Sequence, residues 1–309
     1  MDKKGKNSVL KKYIVEEAYA GLTLESYLKD VLKVSSRQRQ KLFFSKTVYL
    51  NGRTAHSKHT VKAGDSIGVR QFMDTSYGAV PEKGPVEVLY EDIDVIVLNK
   101  PTGILVHPTG QTTSGTLANF LAYYFKQNDE MVTIRPLHRL DRDTTGCVLF
   151  AKSAKAQHIL EEQMARGEIR RRYEALVTGK AENLQRLYPE GCISLPIGRD
   201  PLRANQRRVT EKGQPAITNF KLVESLGSYL LLELELETGR THQIRVHLGY
   251  IGFPVVGDRM YGTSSKLIKR QALHAKYLEF KHPMTGYSIM VNAPRPEDFE
   301  NAVKAAKAK

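Results

Sequence analysis

The chain has 309 residues, 41 % hydrophobic and 26 % charged, the balance of a globular protein with one sizeable domain and a smaller one. No apolar run approaches the ~20 residues of a bilayer span, and the positively charged start has no apolar stretch behind it to form a secretory signal. Two cysteines, Cys147 and Cys192, in no CxxC arrangement, exclude a disulfide framework and point to a reducing cytoplasm, while a formal charge of +14 points to a polyanionic partner.

Along the chain, Lys3, Lys4, Lys6, Lys11 and Lys12 make residues 1–12 a flexible basic arm. From Leu24, the positions Tyr27, Leu28, Val31 and Leu32 complete the stripe of an amphipathic helix. Ser35 is placed to cap a second helix, with Gln38 three residues on, Leu42 and Phe43 facing inward, and Arg37, Arg39 and Lys41 facing out. The run Val48-Tyr49-Leu50-Asn51-Gly52 reads as a strand entering a tight hairpin turn, and Lys62-Ala63-Gly64-Asp65 as a second turn before a strand from Ser66. Residues 13–70 therefore form one small unit, and residues 71–84, without period and with Gly and Pro, read as a linker.

From residue 85 to 309 strands and helices alternate less regularly. Strands are expected at Val86–Tyr90 and Val95–Leu98 around the turn Glu91-Asp92, then at Val148–Ala151, Tyr173–Val177 and Leu230–Leu236. Helices are expected from Thr116 to Phe125 and from Ser153 to Ala165. No regular βαβ repeat appears, so the class is α+β rather than doubly wound.

Two segments carry chemistry. One is Arg135-Pro136-Leu137-His138-Arg139-Leu140-Asp141-Arg142-Asp143-Thr144-Thr145-Gly146, a charged loop before a strand. The other runs from Thr238 to His247, where Thr241 is placed to cap a short helix carrying His242 and Arg245 on one face. A metal held by His242 and His247 is disfavoured by their i, i+5 spacing and the lack of a completing carboxylate. No P-loop, dinucleotide fingerprint or GxSxG elbow occurs. Asp141 and Asp143 as paired glycosidase acids compete with the plainer reading of loop caps, and His138 reads as a loop brace. Basic clusters at Arg37/Arg39/Lys41, Arg166/Arg170/Arg171/Arg172 and Arg199/Arg203/Arg207/Arg208 favour nucleic acid over a merely solvated face.

These residues also resemble known families. Ser36-Arg37, Val48 to Gly52 and Lys62 to Asp65 resemble the S-four-like RNA-binding domain. Asn99-Lys100-Pro101-Thr102-Gly103, His138-Arg139-Leu140-Asp141 with Thr144-Thr145-Gly146, Arg172 to Val177, Thr238 to His247, and Leu273-His274-Ala275 with Phe280 to Pro283 resemble the RluA-type RNA pseudouridine synthases, in order across about Val86 to Pro294. Two departures stand out: Thr144-Thr145-Gly146 where the family often has Thr-Ser-Gly, and Arg171 where it often has Lys.

The resemblance implies a small N-terminal α/β RNA-binding domain followed by a mixed, mainly antiparallel sheet with flanking helices. It implies isomerisation of uridine to pseudouridine in RNA, without cofactor or metal, and leans toward ribosomal RNA of the large subunit, with transfer RNA as the alternative and a monomer sufficient. It assigns Asp141 as the catalytic carboxylate, acting as nucleophile or as the base of an elimination. Arg245 is its ionic partner, Tyr173 the base-stacking tyrosine, and Arg139 the side chain that fills the space of the flipped base. Arg37, Arg39, Lys41, Arg199, Arg203, Arg207 and Arg208 are left as RNA contacts. A non-catalytic ribosome-assembly factor and a methyltransferase are the rival readings, the latter weakened by the missing glycine-rich nucleotide loop.

Overall fold

The computed structural model describes residues 8–32, 34, 36–72, 76–110 and 112–308. The first strand, β1 (Ser8–Ile14), is followed by α1 (Leu24–Ser26), which Thr23 caps through its Oγ1 and which continues as a π-helical turn over Tyr27–Val31. Next come α2 (Ser36–Phe44), β2 (Val48–Leu50), β3 (Arg53–Thr54) and β4 (Ser66–Phe72). The four strands form an antiparallel sheet in the order β1-β4-β2-β3. Leu24 and Leu28 from the expected stripe bury completely against Val48, Val61 and Ile67. Asn51 and Gly52 both take positive φ, the hairpin geometry that Asn-Gly favours. The two turns brace each other, since Asn51 Nδ2 donates to Asp65 Oδ1 at 2.8 Å while Asp65 Oδ2 accepts from Lys62 N at 2.7 Å.

Three expectations shift here. Lys11 and Lys12 lie in β1, paired with Val69 and Gly68, because their strand supplies an edge to β4; Lys3, Lys4 and Lys6 fall outside the described residues. Ser35, expected as a cap, also falls outside them. The segment 71–84 is only partly a linker: Gln71 and Phe72 belong to β4, and residues 76–84 dock on the larger unit. There Asn119 Nδ2 donates to Val80 O at 2.9 Å, and Gly115 N donates to Glu82 Oε2 at 2.7 Å.

The larger unit contains β5 (Val88–Glu91), β6 (Val95–Lys100), α3 (Leu117–Gln127), β7 (Arg135–Pro136), β8 (Thr145–Ala151), α4 (Ala154–Ala165) and β9 (Arg170–Thr178). It continues with α5 (Ala181–Leu187), β10 (Cys192–Ser194), β11 (Ile197–Arg199), β12 (Arg207–Val209), β13 (Ile217–Leu226) and β14 (Tyr229–Leu236). It ends with α6 (Gln243–Tyr250), β15 (Leu273–Lys281), β16 (Ser288–Asn292) and α7 (Glu297–Lys307). The main sheet runs β10-β13-β14-β9-β15-β8-β6-β5, antiparallel except where β15 meets β8. Those two strands pair only through His274 with Thr145 and Ala275 with Gly146, then part. Beyond that point β7 pairs with β8 and β16 with β15, which fills the gap. Gly146 is required at the crossing, because a Cβ there would lie 2.1 Å from Ala275 O and its φ is +110°.

The class is therefore α+β, with a small N-terminal unit and a mainly antiparallel sheet. Among the described residues, no helix is long and apolar enough to cross a membrane.

Candidate active site

A cavity of about 930 Å³ opens where the loop between β7 and β8, strand β9, the segment after β14, and α6 converge. Its lining includes Arg139, Asp141, Arg171, Tyr173, His242 and Arg245.

Asp141 stands in the β7–β8 loop, a fifth exposed, in a backbone gripped from behind. Lys100, wholly buried at the end of β6, donates from Nζ to Arg142 O, Pro101 O and Ile104 O at 2.8 to 2.9 Å. Burial pulls this ammonium down to about 7, even though the three carbonyls accept its three N–H groups. Arg270 donates from Nη1 to Asp143 O at 3.0 Å while gripping Asp298 of α7 with Nε and Nη2. The loop closes on itself through Thr144 N to Asp141 O at 3.1 Å.

Arg245 reaches the carboxylate from α6, with Nη1 donating to Asp141 Oδ2 at 2.9 Å. Its other two nitrogens form a fork on Asp258, Nε to Oδ2 at 2.7 Å and Nη2 to Oδ1 at 2.9 Å. Asp258 is 1 % exposed and also accepts from the backbone N–H groups of Met260 and Tyr261. Burial alone would favour neutral Arg245, but the hydrogen bonds to Asp258 and the charge of Asp141 outweigh it and raise its pKa further. The guanidinium also lies over the Tyr261 ring, 5.2 Å from its centre.

α6 begins at His242, not under a Thr241 cap. His242 adopts φ +59°, and the polar contacts of the turn come from Gln243, whose Oε1 accepts from Arg240 N and Thr238 Oγ1. The Tyr261 hydroxyl accepts from Arg207 N at 2.8 Å and shares a hydrogen bond with His242 Nδ1 at 2.9 Å. His242 Nε2 lies 3.8 Å from Asp141 Oδ1, and that carboxylate favours the tautomer with the proton on Nε2. Burial lowers the His242 pKa and keeps the ring neutral. His247 turns away, between Thr218 Oγ1 and Leu195 O, so no metal pair forms with His242.

Tyr173 projects from β9 into the same cavity, 5 % exposed, its phenol held protonated chiefly by burial. His138 braces the loop as an acceptor rather than as the expected donor or satisfied side chain: Nε2 accepts from Leu149 N at 3.2 Å, Nδ1 has no partner, and burial lowers its pKa to about 3. Arg139 lies exposed on the cavity lining.

The model of the family described as RNA pseudouridylate synthase matches residues 94–250. The chain belongs to this family. A second family model, the RluD ribosomal pseudouridine synthase N-terminal domain, matches residues 11–67. The chain is 39 % identical over 303 residues to the Bacillus subtilis (strain 168) protein named as an uncharacterized RNA pseudouridine synthase, YhcT, covering 97 % of this chain and 98 % of that one. It is 33 % identical over 310 residues to ribosomal large subunit pseudouridine synthase D of Escherichia coli (strain K12), covering 95 % and 93 %. Among solved structures, human RNA pseudouridylate synthase domain containing 1 matches with a TM-score of 0.56 and 26 % identity, covering 74 % of this chain and 98 % of that one. The chain is thus an RNA pseudouridine synthase, an isomerase that turns uridine into pseudouridine in RNA.

Within this synthase fold, Asp141, Tyr173, Arg245 and Arg139 converge on one cavity. Arg203, Arg207 and Arg208 line a second groove of about 380 Å³ beside it, joined through Tyr261. Arg199 is exposed on β11, opposite Arg207. Arg39 departs from its outward expectation: Nη1 donates to Val34 O at 2.5 Å and Glu25 lies 3.8 Å from Nε, because the helix leans its stem on α1. The side chains of Arg37 and Lys41 fall outside the described set.

Sequence reasoning missed Asp258 and Tyr261, whose only local signal is the turn Gly257-Asp258. It also left Lys100 and Arg270 without a job. One group of three side chains that could together hold a metal occurs among the described residues, Asp92, Asp94 and His282. His282 Nδ1 accepts from Met284 N and Thr285 N, so Nε2 holds the proton and donates to Asp92 at 3.1 Å. That leaves the imidazole no free lone pair for a metal.

Proposed function

We propose that this synthase modifies uridine in large-subunit ribosomal RNA, as a cytoplasmic monomer, with Asp141 as its catalytic carboxylate. The carrying observation is the chain of contacts Asp141–Arg245–Asp258, a carboxylate held at a cavity beside a buried tyrosine. A single-file ion pair of this kind offsets part of the cost of keeping a carboxylate out of water. The ribosomal assignment is supported by the names of the relatives and by the match to the RluD-type N-terminal domain.

In the reaction, the target base leaves its stack at a cost of a few kcal/mol and enters the cavity. Tyr173 offers its ring for stacking and Arg139, at the lining, takes the space vacated in the RNA. The C1′–N1 bond breaks, the uracil turns, C5 bonds to C1′, and the C5 proton is lost while N1 gains one. Asp141 serves either by bonding to carbon or by removing a ribose proton. Arg199, Arg203, Arg207 and Arg208 hold the RNA backbone.

Carbodiimide mapping of pseudouridines in total RNA tests this, comparing cells with the gene, without it, and with Asp141→Asn. The expected result is one or a few positions in large-subunit RNA that vanish in the deletion and in Asp141→Asn, while the purified variant still binds RNA. Loss of positions in transfer RNA alone would sink the ribosomal assignment. Full modification by Asp141→Asn would sink the catalytic one.

A further inference from the structure

Three arginines of the larger unit are more than nine-tenths buried: Arg171, Arg245 and Arg270. Arg245 is neutralised by Asp141 and Asp258, and Arg270 by Asp298. Arg171 has no such partner among the described residues, and its Nε has no hydrogen bond at all. The two glutamates on the cavity lining are engaged elsewhere, Glu161 by Gln157 Nε2 and Glu237 by Asn219 Nδ2. His138 beside it is neutral, with an unpartnered Nδ1. A buried cation without a counter-charge is costly, by several kcal/mol after relaxation. A fold retains one where a ligand completes it.

Position indicates the ligand. Arg171 and Tyr173 stand two apart on β9 and share the buried face that meets the cavity, whereas Arg172 points to the other face and pairs with Glu235 at 3.1 Å. A base stacked on Tyr173 therefore brings its polar edge toward Arg171, while the RNA backbone stays near the exposed Arg139. Both routes open to Asp141 share one event: when the C1′–N1 bond breaks heterolytically, the electron pair stays on N1 and spreads to O2 and O4. The sugar side replaces that pair either with one from the Asp141 carboxylate, in a new C1′–O bond that breaks again when C5 attacks, or with the pair of a ribose C–H bond whose proton Asp141 takes and returns as C5 closes. The charge on the base disappears when C5 closes on C1′ and the C5 proton passes to N1.

We propose that Arg171 is a catalytic residue that binds the carbonyl edge of the uracil and neutralises the base while it is detached as an anion. This rests on the placement of the target uridine in the Asp141 cavity. The guanidinium would supply to the leaving base what a preorganised donor supplies to an oxyanion, a charge already desolvated before the reaction begins.

The test uses the full chain, a synthetic RNA carrying the uridine that mapping identifies, and the variants Arg171→Met and Arg171→Lys. Arg171→Met is expected to slow single-turnover conversion by about 100-fold or more while the RNA Kd moves less than about threefold, and Arg171→Lys to stay within about tenfold of wild type. With 5-fluorouridine at the target, whose base is the more stable anion, the defect in cleaving the N-glycosidic bond should shrink at least about fivefold. The Tm of Arg171→Met should equal or exceed that of wild type, because an uncompensated buried charge is gone. A rise in RNA Kd matching the rate loss, with no fluorine effect, would assign Arg171 to a phosphate and overturn the inference. So would a fall in Tm shared by both variants. If wild type leaves the uridine unchanged, the functional reading itself fails; if wild type and Arg171→Met convert it alike, only the role of Arg171 does.

Discussion

The Asp141 loop and the β11–β12 hairpin both connect to Tyr261, the loop through Arg245 and His242 and the hairpin through Arg207 N, yet they are held in opposite ways. The loop between β7 and β8 has buried cations behind it, Lys100 on Arg142 O and Arg270 on Asp143 O, and an ion pair in front. The hairpin carries Arg199, Arg203 and Arg208 exposed, with Leu202 at its tip 89 % exposed. Its base is anchored by Ile197 and Val209 in a small apolar cluster with Val246 and by Arg207 N on the Tyr261 hydroxyl, whereas the bonds at its tip, such as Leu202 N on Asp200 Oδ1, stay within the hairpin. Chemistry at one atom tolerates little displacement, and about 1 Å of misplacement costs on the order of 100-fold in rate. Contact with a polyanion tolerates much more, because each phosphate is met by a screened charge on a long side chain.

The comparison breaks most visibly at Asp258. Asp258→Asn keeps the shape but removes the charge that the fork of Arg245 requires, leaving a buried guanidinium with Asp141 alone. Breaking such a pair costs about 3–5 kcal/mol, so the urea midpoint should fall by a large margin. Single-turnover conversion should fall by on the order of 100-fold, because Arg245 is freed to rotate and Asp141 follows it. An unchanged midpoint together with an unchanged rate would show that the loop is not held through Asp258.

How the sequence encodes these two regions differs in the same sense. The helices over Leu117–Gln127 and Ala154–Ala165 and the strand Tyr229–Leu236 were legible from local pattern, as were the loop carrying Asp141 and its partner Arg245. The pairing of β15 with β8 was not, since it joins residues about 130 apart in the chain and is fixed by Gly146 meeting Ala275. Asp258 was invisible because nothing local distinguishes it from a turn acid. Only the three-dimensional need of Arg245 for a second carboxylate reveals it. The cap of α6 failed for a related reason: Thr241 has the right chemistry, but His242 takes the left-handed conformation to turn its ring toward Asp141. Arg39 shows the limit of reading charge as exposure, for a backbone carbonyl can claim a guanidinium, while Lys11 and Lys12 stay exposed but on a paired strand rather than a flexible arm.

A smaller effect separates the regions by pH. His138 in the folded chain has a pKa of about 3, lowered first by burial and then by Arg171, against about 6.5 unfolded. Because the folded value is the lower one, the unfolded chain takes a proton that the fold refuses. This group's contribution is intact above about pH 6.5 and is lost as pH falls toward 3, at up to about 1.4 kcal/mol per pH unit. His138→Gln, whose carbonyl can still accept the Leu149 N–H, should flatten the acid limb of the stability curve and narrow the gap to wild type by about 2 kcal/mol between pH 6.5 and 5. Urea titrations at four or five pH values measure this. An acid limb identical to wild type would mean that His138 is solvated enough to protonate in place.

The smallest effect belongs to the hairpin. Arg208→Ala removes one exposed charge from β12 and touches no group in the Asp141 cavity. With one phosphate fewer neutralised, the slope of log K against log salt should shrink by about 0.7 to 0.9, and RNA binding should weaken a few-fold at moderate salt. The conversion rate at saturating RNA should stay at the wild-type value, because the loop is gripped without the hairpin. Tyr261 is the one route by which this can go wrong, since Arg207 next door donates its backbone N–H to the hydroxyl that orients His242. Should the saturating rate fall with the salt slope unchanged, β12 would be bracing the catalytic loop through Tyr261, and the hairpin would belong to the rigid half of the molecule.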